Sequence, residues 1–252
     1  MRVEKLLGRL RQRRVLGREA HPLSGCLIVS HGLPKSASSF AWLLLRDILR
    51  AGGAPLAKLS AEAKGAPSEE DYVDSLSAER LAAIGREAGA GCALVKTHGF
   101  APRPGAIEAA GFAQQIVFAQ HRDPRDIALS LIDHGNRSRA AGIADFVECV
   151  NVERSLWTID LALKTMESWL ELGEVHLVSY DALCFDSAAT VARMAKTLKL
   201  RVDPAEILAP YADKRRITQF NKGVPQRWRT EMSAEDAARV RAEFARYYER
   251  FA

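Results

Sequence analysis

Four short apolar runs stand out along the chain, at residues 26–30, 92–96, 115–120 and 175–179. Each is rich in Val, Ile, Leu or Phe and lacks the strict alternation of a half-exposed strand. This predicts strands buried on both faces of a parallel sheet. Between them the apolar spacing turns helical. One helix is predicted to open at Ser38 or Ser39 and run to Arg50. A second has Asp123 as its N-cap and Pro124 at its first position, and runs toward Gly135. A long amphipathic stretch covers about 143–170, and others cover about 187–198 and 234–248. Strands alternating with helices predict an α/β fold, a central parallel sheet flanked by helices. Residues 52–77, with Gly52-Gly53, two prolines and scattered charge, read as a loop or broken helix of the kind that often serves binding. No internal repeat, low-complexity tract or convincing domain boundary is visible.

Composition narrows the class. A chain of 252 residues suits one large α/β domain or two small ones. Its 48% hydrophobic and 27% charged residues support a sizeable core and argue against global disorder. No apolar run approaches the roughly 18–20 residues of a membrane span, and the basic N-terminus lacks the apolar block of a secretory signal. Cys26, Cys92, Cys149 and Cys184 lie far apart without a C-x-x-C pair. That excludes a zinc ribbon or dense disulfide framework, fits a reducing, cytoplasmic setting and leaves no metal site expected.

The net charge is uneven. Residues 1–20 carry seven bases and two acids, an excess equal to the +5 of the whole chain. The remaining residues, 21–252, are neutral in sum and read as a single domain behind a basic arm. Val3, Leu6, Leu7 and Leu10 give the arm a helical apolar stripe. It reads as a solvated surface helix or a dimer strap, with contact to nucleic acid, an anionic membrane surface or an acidic partner as the alternatives. No nucleic-acid partner is expected, and the oligomeric state is left open.

Parallel sheets bind ligands at the carboxyl ends of their strands. After the first run comes Ser30-His31-Gly32-Leu33-Pro34-Lys35-Ser36-Ala37-Ser38-Ser39-Phe40, then a helix. A strand, a small-residue loop and a helix N-terminus make an anion site, with Lys35 adding a point charge and Ser36, Ser38 and Ser39 adding hydroxyls. The same stretch also reads as a capped helix with a surface lysine. It is not a nucleotide-triphosphate loop, because G-x-x-x-x-G-K-[ST] is absent. After the second run comes Lys96-Thr97-His98, where Lys96 and His98 share a face. His98 suits a general base near neutral pH, or simply a hydrogen-bonded loop histidine. After the third comes Gln120-His121-Arg122-Asp123-Pro124-Arg125-Asp126. There Arg122 and Ser130 can converge on a phosphate, and Asp123, Asp126, Ser130 and His134 fall near one helical face. A purely structural Arg–Asp pairing fits Asp123 and Arg125 as well. Residues 214–229 hold six bases and no acid, with Phe220, Gly223 and Trp228 among them, and read as a phosphate clamp or a solvated strip.

Together these motifs resemble the sulfotransferases that use 3′-phosphoadenosine 5′-phosphosulfate (PAPS). Residues 34–40 are similar to the family's P-K-S-G-T-T-W loop. Arg122-Asp123-Pro124-Arg125-Asp126 with Ser130 is similar to R-D-P-R-D-x-x-x-S, and Lys96-Thr97-His98 to K-T-H. Tyr180-Asp181-Ala182-Leu183 is similar to Y-E-D-L. Phe220-Asn221-Lys222-Gly223 with Trp228 resembles R-K-G-x-x-G-D-W. The order is the family's, across about residues 25–230.

The resemblance implies a P-loop-nucleotide-kinase-like sulfotransferase fold and in-line sulfuryl transfer to a hydroxyl or amine of a small-molecule or carbohydrate acceptor. PAPS would be the co-substrate and its desulfonated form, PAP, the product. Lys35 with Ser36, Ala37, Ser38 and Ser39 would hold the 5′-phosphosulfate, and Phe40 and Tyr180 would approach the adenine. Arg122, Ser130, Asn221, Lys222 and Gly223 form the 3′-phosphate side. His98 would be the base, with Lys96 and Lys35 stabilising the bridging oxygen. Three departures matter. Ala37 replaces glycine and is tolerable only at negative φ. Asn221 replaces an arginine, and Gln226-Arg227 replaces Gly-Asp. The competing readings are a nucleotide-dependent kinase and a non-catalytic binding protein.

Overall fold

The computed structural model describes residues 21–65, 71–217 and 222–251; the basic arm, Phe220 and Asn221 lie outside them. Four parallel strands form one sheet in the order β2-β1-β3-β4. They are β1 (Cys26–Gly32), β2 (Ala93–Thr97), β3 (Gln114–His121) and β4 (Val175–Ser179). Ile28 of the central strand β1 registers with Leu94 of β2 and Ile116 of β3. Every residue of β1 and β2 is buried, as a sheet covered on both faces requires. The expectation of full burial fails for β4 at the sheet edge, where only Val178 is buried and Leu177 is exposed, and for the first three residues of β3. β1 runs two residues past the apolar run, because its ladder with β3 continues to Gly32 and Gln120. That extension carries the polar His31 fully into the interior.

The helices used below are α1 (Ser38–Ala51), α2 (Ala78–Ala88), α3 (Pro124–Ala141), α4 (Val152–Leu172), α5 (Tyr180–Phe185), α6 (Ser187–Thr197), α7 (Pro204–Leu208), α8 (Ala234–Glu243) and α9 (Ala245–Phe251). One face of the sheet packs Ile28, Leu94 and Phe118 against α1, α6 and α7. The other packs Leu27, Val29 and Val95 against α2 and Trp169 of α4. Trp169 is fully buried and donates its Nε1–H to the Gly99 carbonyl at 3.0 Å. A third cluster joins α3 and α4 to α8 and α9 through Ile127, Leu131, Met166 and Phe244. Full burial of a side chain such as Leu or Phe contributes about 1.5–3 kcal/mol each.

Several expectations needed correction. The stretch 143–170 is not one helix. Gly142 at φ 66 caps α3, an irregular segment follows, and Asn151 caps α4 by accepting from the Arg154 N–H. α3 continues past Gly135 because that segment lies directly on it. A Cβ at Gly135 would strike the Phe146 carbonyl oxygen, so glycine keeps the contact and the helix survives. The helix expected over 234–248 is divided at Phe244. α2 was not foreseen: only Leu81, Ile84 and Ala88 are buried along it, a stripe too narrow to stand out. Within 52–77, a single helical turn (Ala61–Lys64) precedes an extended piece that bonds along β2, with Val73 N–H donating to the Lys96 carbonyl at 2.9 Å. Among the described residues no helix is long and apolar enough to cross a membrane.

Candidate functional site

The loop after β1 turns sharply. Lys35 (φ 65) and Ala37 (φ 63) are both left-handed, although neither is glycine. Backbone that flanks one residue with left-handed neighbours can turn successive N–H groups to one side and forms anion-binding concavities. Gly32 has no room for a side chain: an added Cβ would lie 2.5 Å from the Ser38 Cβ. The start of α1 therefore sits directly on the end of β1. Ala37 offers no side-chain cap to α1, so the positive end of the helix dipole opens onto the loop. The Ser36 hydroxyl is spent inside the loop, donating to the Leu33 carbonyl at 2.6 Å.

The ends of β2 and β3 close on this loop. Buried Lys96 donates from Nζ to the Ser39 hydroxyl at 2.7 Å. His98 Nδ1 lies 2.5 Å from the Gly32 carbonyl oxygen. A carbonyl only accepts, so Nδ1 carries a proton, and in the neutral form of the ring the lone pair is then on Nε2. Tyr72 packs beside both groups, its ring 5.5 Å from the His98 ring and 6.0 Å from the Lys96 amine. From β3, Arg122 donates through Nη1 to the Lys35 carbonyl at 3.1 Å and lies 3.6 Å from Asp126. Its guanidinium stacks 3.7 Å over the Tyr180 ring, and its buried Nε has no hydrogen-bond partner among the described residues. Burial raises the Asp126 carboxyl against the opposing pull of Arg122.

Asp123 caps α3 by accepting from the Arg125 N–H at 2.9 Å, and the Tyr248 hydroxyl donates to the same carboxylate at 2.9 Å. Arg125 pairs with Asp123 at 2.5 Å and stacks 3.5 Å over Trp228. The Trp228 N–H donates to Asp126 at 2.9 Å, which brings the C-terminal segment to the start of α3. A cleft of about 330 Å³ opens here, bounded by Arg122, Arg125, Asp126, Tyr180 and Trp228. Ser130 is buried further along α3.

The basic segment differs from its expected form. It has no acid of its own, but acids reach it from outside. Arg227 is buried and meets Asp133 at 2.9 Å and Glu231 at 2.6 Å. The hydrogen bond from Arg227 holds the Glu231 carboxyl down to about 2. Lys222 pairs with Glu231 at 3.0 Å while staying half-exposed beside Gly223, whose φ is +62. Arg227 is thus structural, and the clamp is partly neutralised. Phe40 is 6% exposed, its ring edge-on to Tyr211 at 5.4 Å, which leaves little of it for a nucleotide to stack on. Ala37 violates the negative-φ condition set by the sequence.

Three residues lie outside the motifs: His134, Phe146 and Tyr72. Lys35 Nζ meets His134 Nδ1 and sits 5.1 Å over the Phe146 ring. Burial pushes this amine down to about 8, helped by Arg137 and opposed by Asp145. The spacing of His134 from Asp126 and Ser130 hinted at this, whereas Tyr72 and Phe146 sit in irregular segments with no periodic signal. His31 does not join the site: buried, it contacts Thr165 at 3.3 Å, and burial holds it down to about 3.

No family model matches the chain, and no curated protein matches it in sequence. Solved structures do match it in shape. A mouse sulfotransferase complexed with PAP aligns at a TM-score of 0.59 and 13% identity, over 94% of this chain and 92% of that one. Retinol dehydratase in complex with androsterone and inactive cofactor PAP aligns at 0.53 and 16% identity, over 91% and 82%. Retinol dehydratase with retinol and PAP aligns at 0.50 and 15%, over 90% and 82%. At these identities the likeness is one of fold: the chain has the sulfotransferase fold, as its motifs implied.

Proposed function

We propose that the chain is a PAPS-dependent sulfotransferase acting on a hydroxyl or amine of a small-molecule or carbohydrate acceptor. The observation that carries this reading is the joining of the loop after β1 to the ends of β2 and β3, the two strands that flank β1, through the Lys96–Ser39, His98–Gly32 and Arg122–Lys35 contacts. The residues fit the co-substrate: an uncapped helix start and two amines for the phosphosulfate end, and an orphaned buried guanidinium N–H for the 3′-phosphate end.

Bound PAPS supplies an activated sulfuryl group, whose sulfur–oxygen bond to the 5′-phosphate breaks as the acceptor–sulfur bond forms. His98 Nε2 takes the acceptor proton as attack proceeds. Lys35 and Lys96 offset the charge that grows on the departing phosphate oxygen. Arg122, Ser130, Lys222 and Gly223 hold the 3′-phosphate, while the backbone of residues 36–39 and the Ser38 and Ser39 hydroxyls hold the 5′ end. Tyr180 borders the cleft at the adenine side, although its ring is as buried as that of Phe40 and is covered by Arg122. A sulfuryl group carries less charge than a phosphoryl group, so amines and helix N–H groups suffice, and positioning with electrostatic stabilisation supplies most of the catalysis.

A cytoplasmic setting is part of this proposal; the four cysteines as free thiols support it, with burial raising Cys26 to about 12 and Cys92 to about 11. The arm at residues 1–20 is proposed as a peripheral contact with a membrane surface or a second copy. Deleting it tests this by vesicle sedimentation and gel filtration.

The primary test is thermal. PAP at about 100 times its Kd, without metal, adds about 2.7 kcal/mol to the stability. A shift with ATP and Mg²⁺ but none with PAP would support a kinase instead. His98→Ala is expected to lose 10²–10⁴-fold in turnover, roughly the worth of a general base, while PAP affinity holds. Full activity in that variant removes the base assignment.

A further inference from the structure

Lys35 is fixed at its backbone but not along its side chain. Its left-handed conformation is locked and its carbonyl is held by Arg122. The four-carbon stem is what remains to be ordered, and a free lysine stem carries about 2 kcal/mol of rotamer entropy. The stem ends on two groups outside every motif: Nδ1 of His134, on α3, and the ring of Phe146, from the irregular segment before α4. The two rings pack edge to face at 5.2 Å, so the receiving surface is itself braced. We propose that His134 is a positioning residue for Lys35, holding the amine charged and in place at the loop before the phosphosulfate arrives. This rests on reading the loop as the phosphosulfate site.

The tautomer follows from the contact. An ammonium has no acceptor, so His134 Nδ1 must present a lone pair, with its proton on Nε2. That is opposite to His98, whose Nδ1 carries the proton. The ring must therefore be neutral. The groups around the pair support this. Burial first, then Lys35 and Arg137, hold His134 below its ordinary value, against Asp145. Around the amine stand Arg137 from α3, Asp145 and Cys149 from the irregular segment, and Lys96 from β2.

A histidine that merely packed against Phe146 would make different predictions. Histidine NMR titration of the full chain is the first arm. In Lys35→Met the His134 midpoint is expected to rise, since a neighbouring cation is gone; an unmoved midpoint overturns the pairing. Kinetics are the second arm. His134→Phe, which can pack but not accept, is expected to lower kcat about tenfold with the PAP Kd within twofold. His134→Gln, whose amide oxygen can accept, is expected to recover at least a third of wild-type kcat. Wild-type kcat in His134→Phe, or equal losses in Phe and Gln variants, overturns the positioning role. Absence of heat with PAP in the wild-type chain overturns the sulfotransferase reading itself, while the titration still decides the pairing.

Discussion

Arg122 donates to the carbonyl of Lys35 at 3.1 Å, so the end of β3 holds the loop that follows β1. One guanidinium thus shapes the loop, stacks on Tyr180 and keeps Nε without a partner. Arg122→Lys keeps the charge but loses the planar fork. A charge-assisted hydrogen bond contributes about 1.5–3 kcal/mol, so PAP affinity is expected to fall about 10- to 100-fold by calorimetry. An unchanged Kd would detach Arg122 from the 3′-phosphate.

Ala37 carries a strain that its neighbours impose. A left-handed non-glycine residue costs about 1–2 kcal/mol, and a glycine there would give back about 0.4–1 kcal/mol through its freer unfolded chain. Ala37→Gly is therefore expected to raise stability by about 0.5–1 kcal/mol, seen as a Tm rise of about 1–4 °C for a chain of this length. A lowered Tm contradicts the strain argument.

In the proposed mechanism the Lys35 amine acts as a cation, and burial lowers it to about 8. Turnover should decline as pH rises through about 8, with the limb moving upward in Lys35→Arg. Stability runs the other way. The unfolded chain keeps the proton up to the ordinary 10.5, so folding is favoured progressively from pH 8 toward 10.5. A flat rate profile to pH 9.5 excludes a charged Lys35 from the rate-limiting step.

His31 stays neutral in the fold down to about 3, whereas the unfolded chain takes up its proton near 6.5. Stability is therefore lost as pH falls between those values, by about 1.4 kcal/mol per pH unit for one proton. His121, held down to about 4 by burial, adds in the same direction. Urea unfolding of His31→Asn across pH 6.5–4 should show a slope smaller by about one proton; an identical slope places the acid sensitivity elsewhere.

β1 and β2 were legible because they are apolar and buried on both faces, and the cap of α3 because Asp123-Pro124 announces it, whereas β4 keeps only Val178 buried and was legible from its apolar run alone. α2 was hidden because three buried residues among alanines and charges make no clear stripe. The break before α4 was hidden too. The chain there packs on Gly135, a contact that no local pattern encodes.

Sequence alone determined which residues stand at the strand ends, because burial of a parallel sheet and cap chemistry are local and periodic. Only the tertiary structure decided what those residues do to one another. It set Nδ1 of His98 against a carbonyl and Nδ1 of His134 against an amine, drew Asp133 and Glu231 onto Arg227, forced Ala37 into a left-handed turn and buried Phe40. Each outcome depends on a neighbour distant in the chain, and the energies of desolvation and pairing exist only once those neighbours meet.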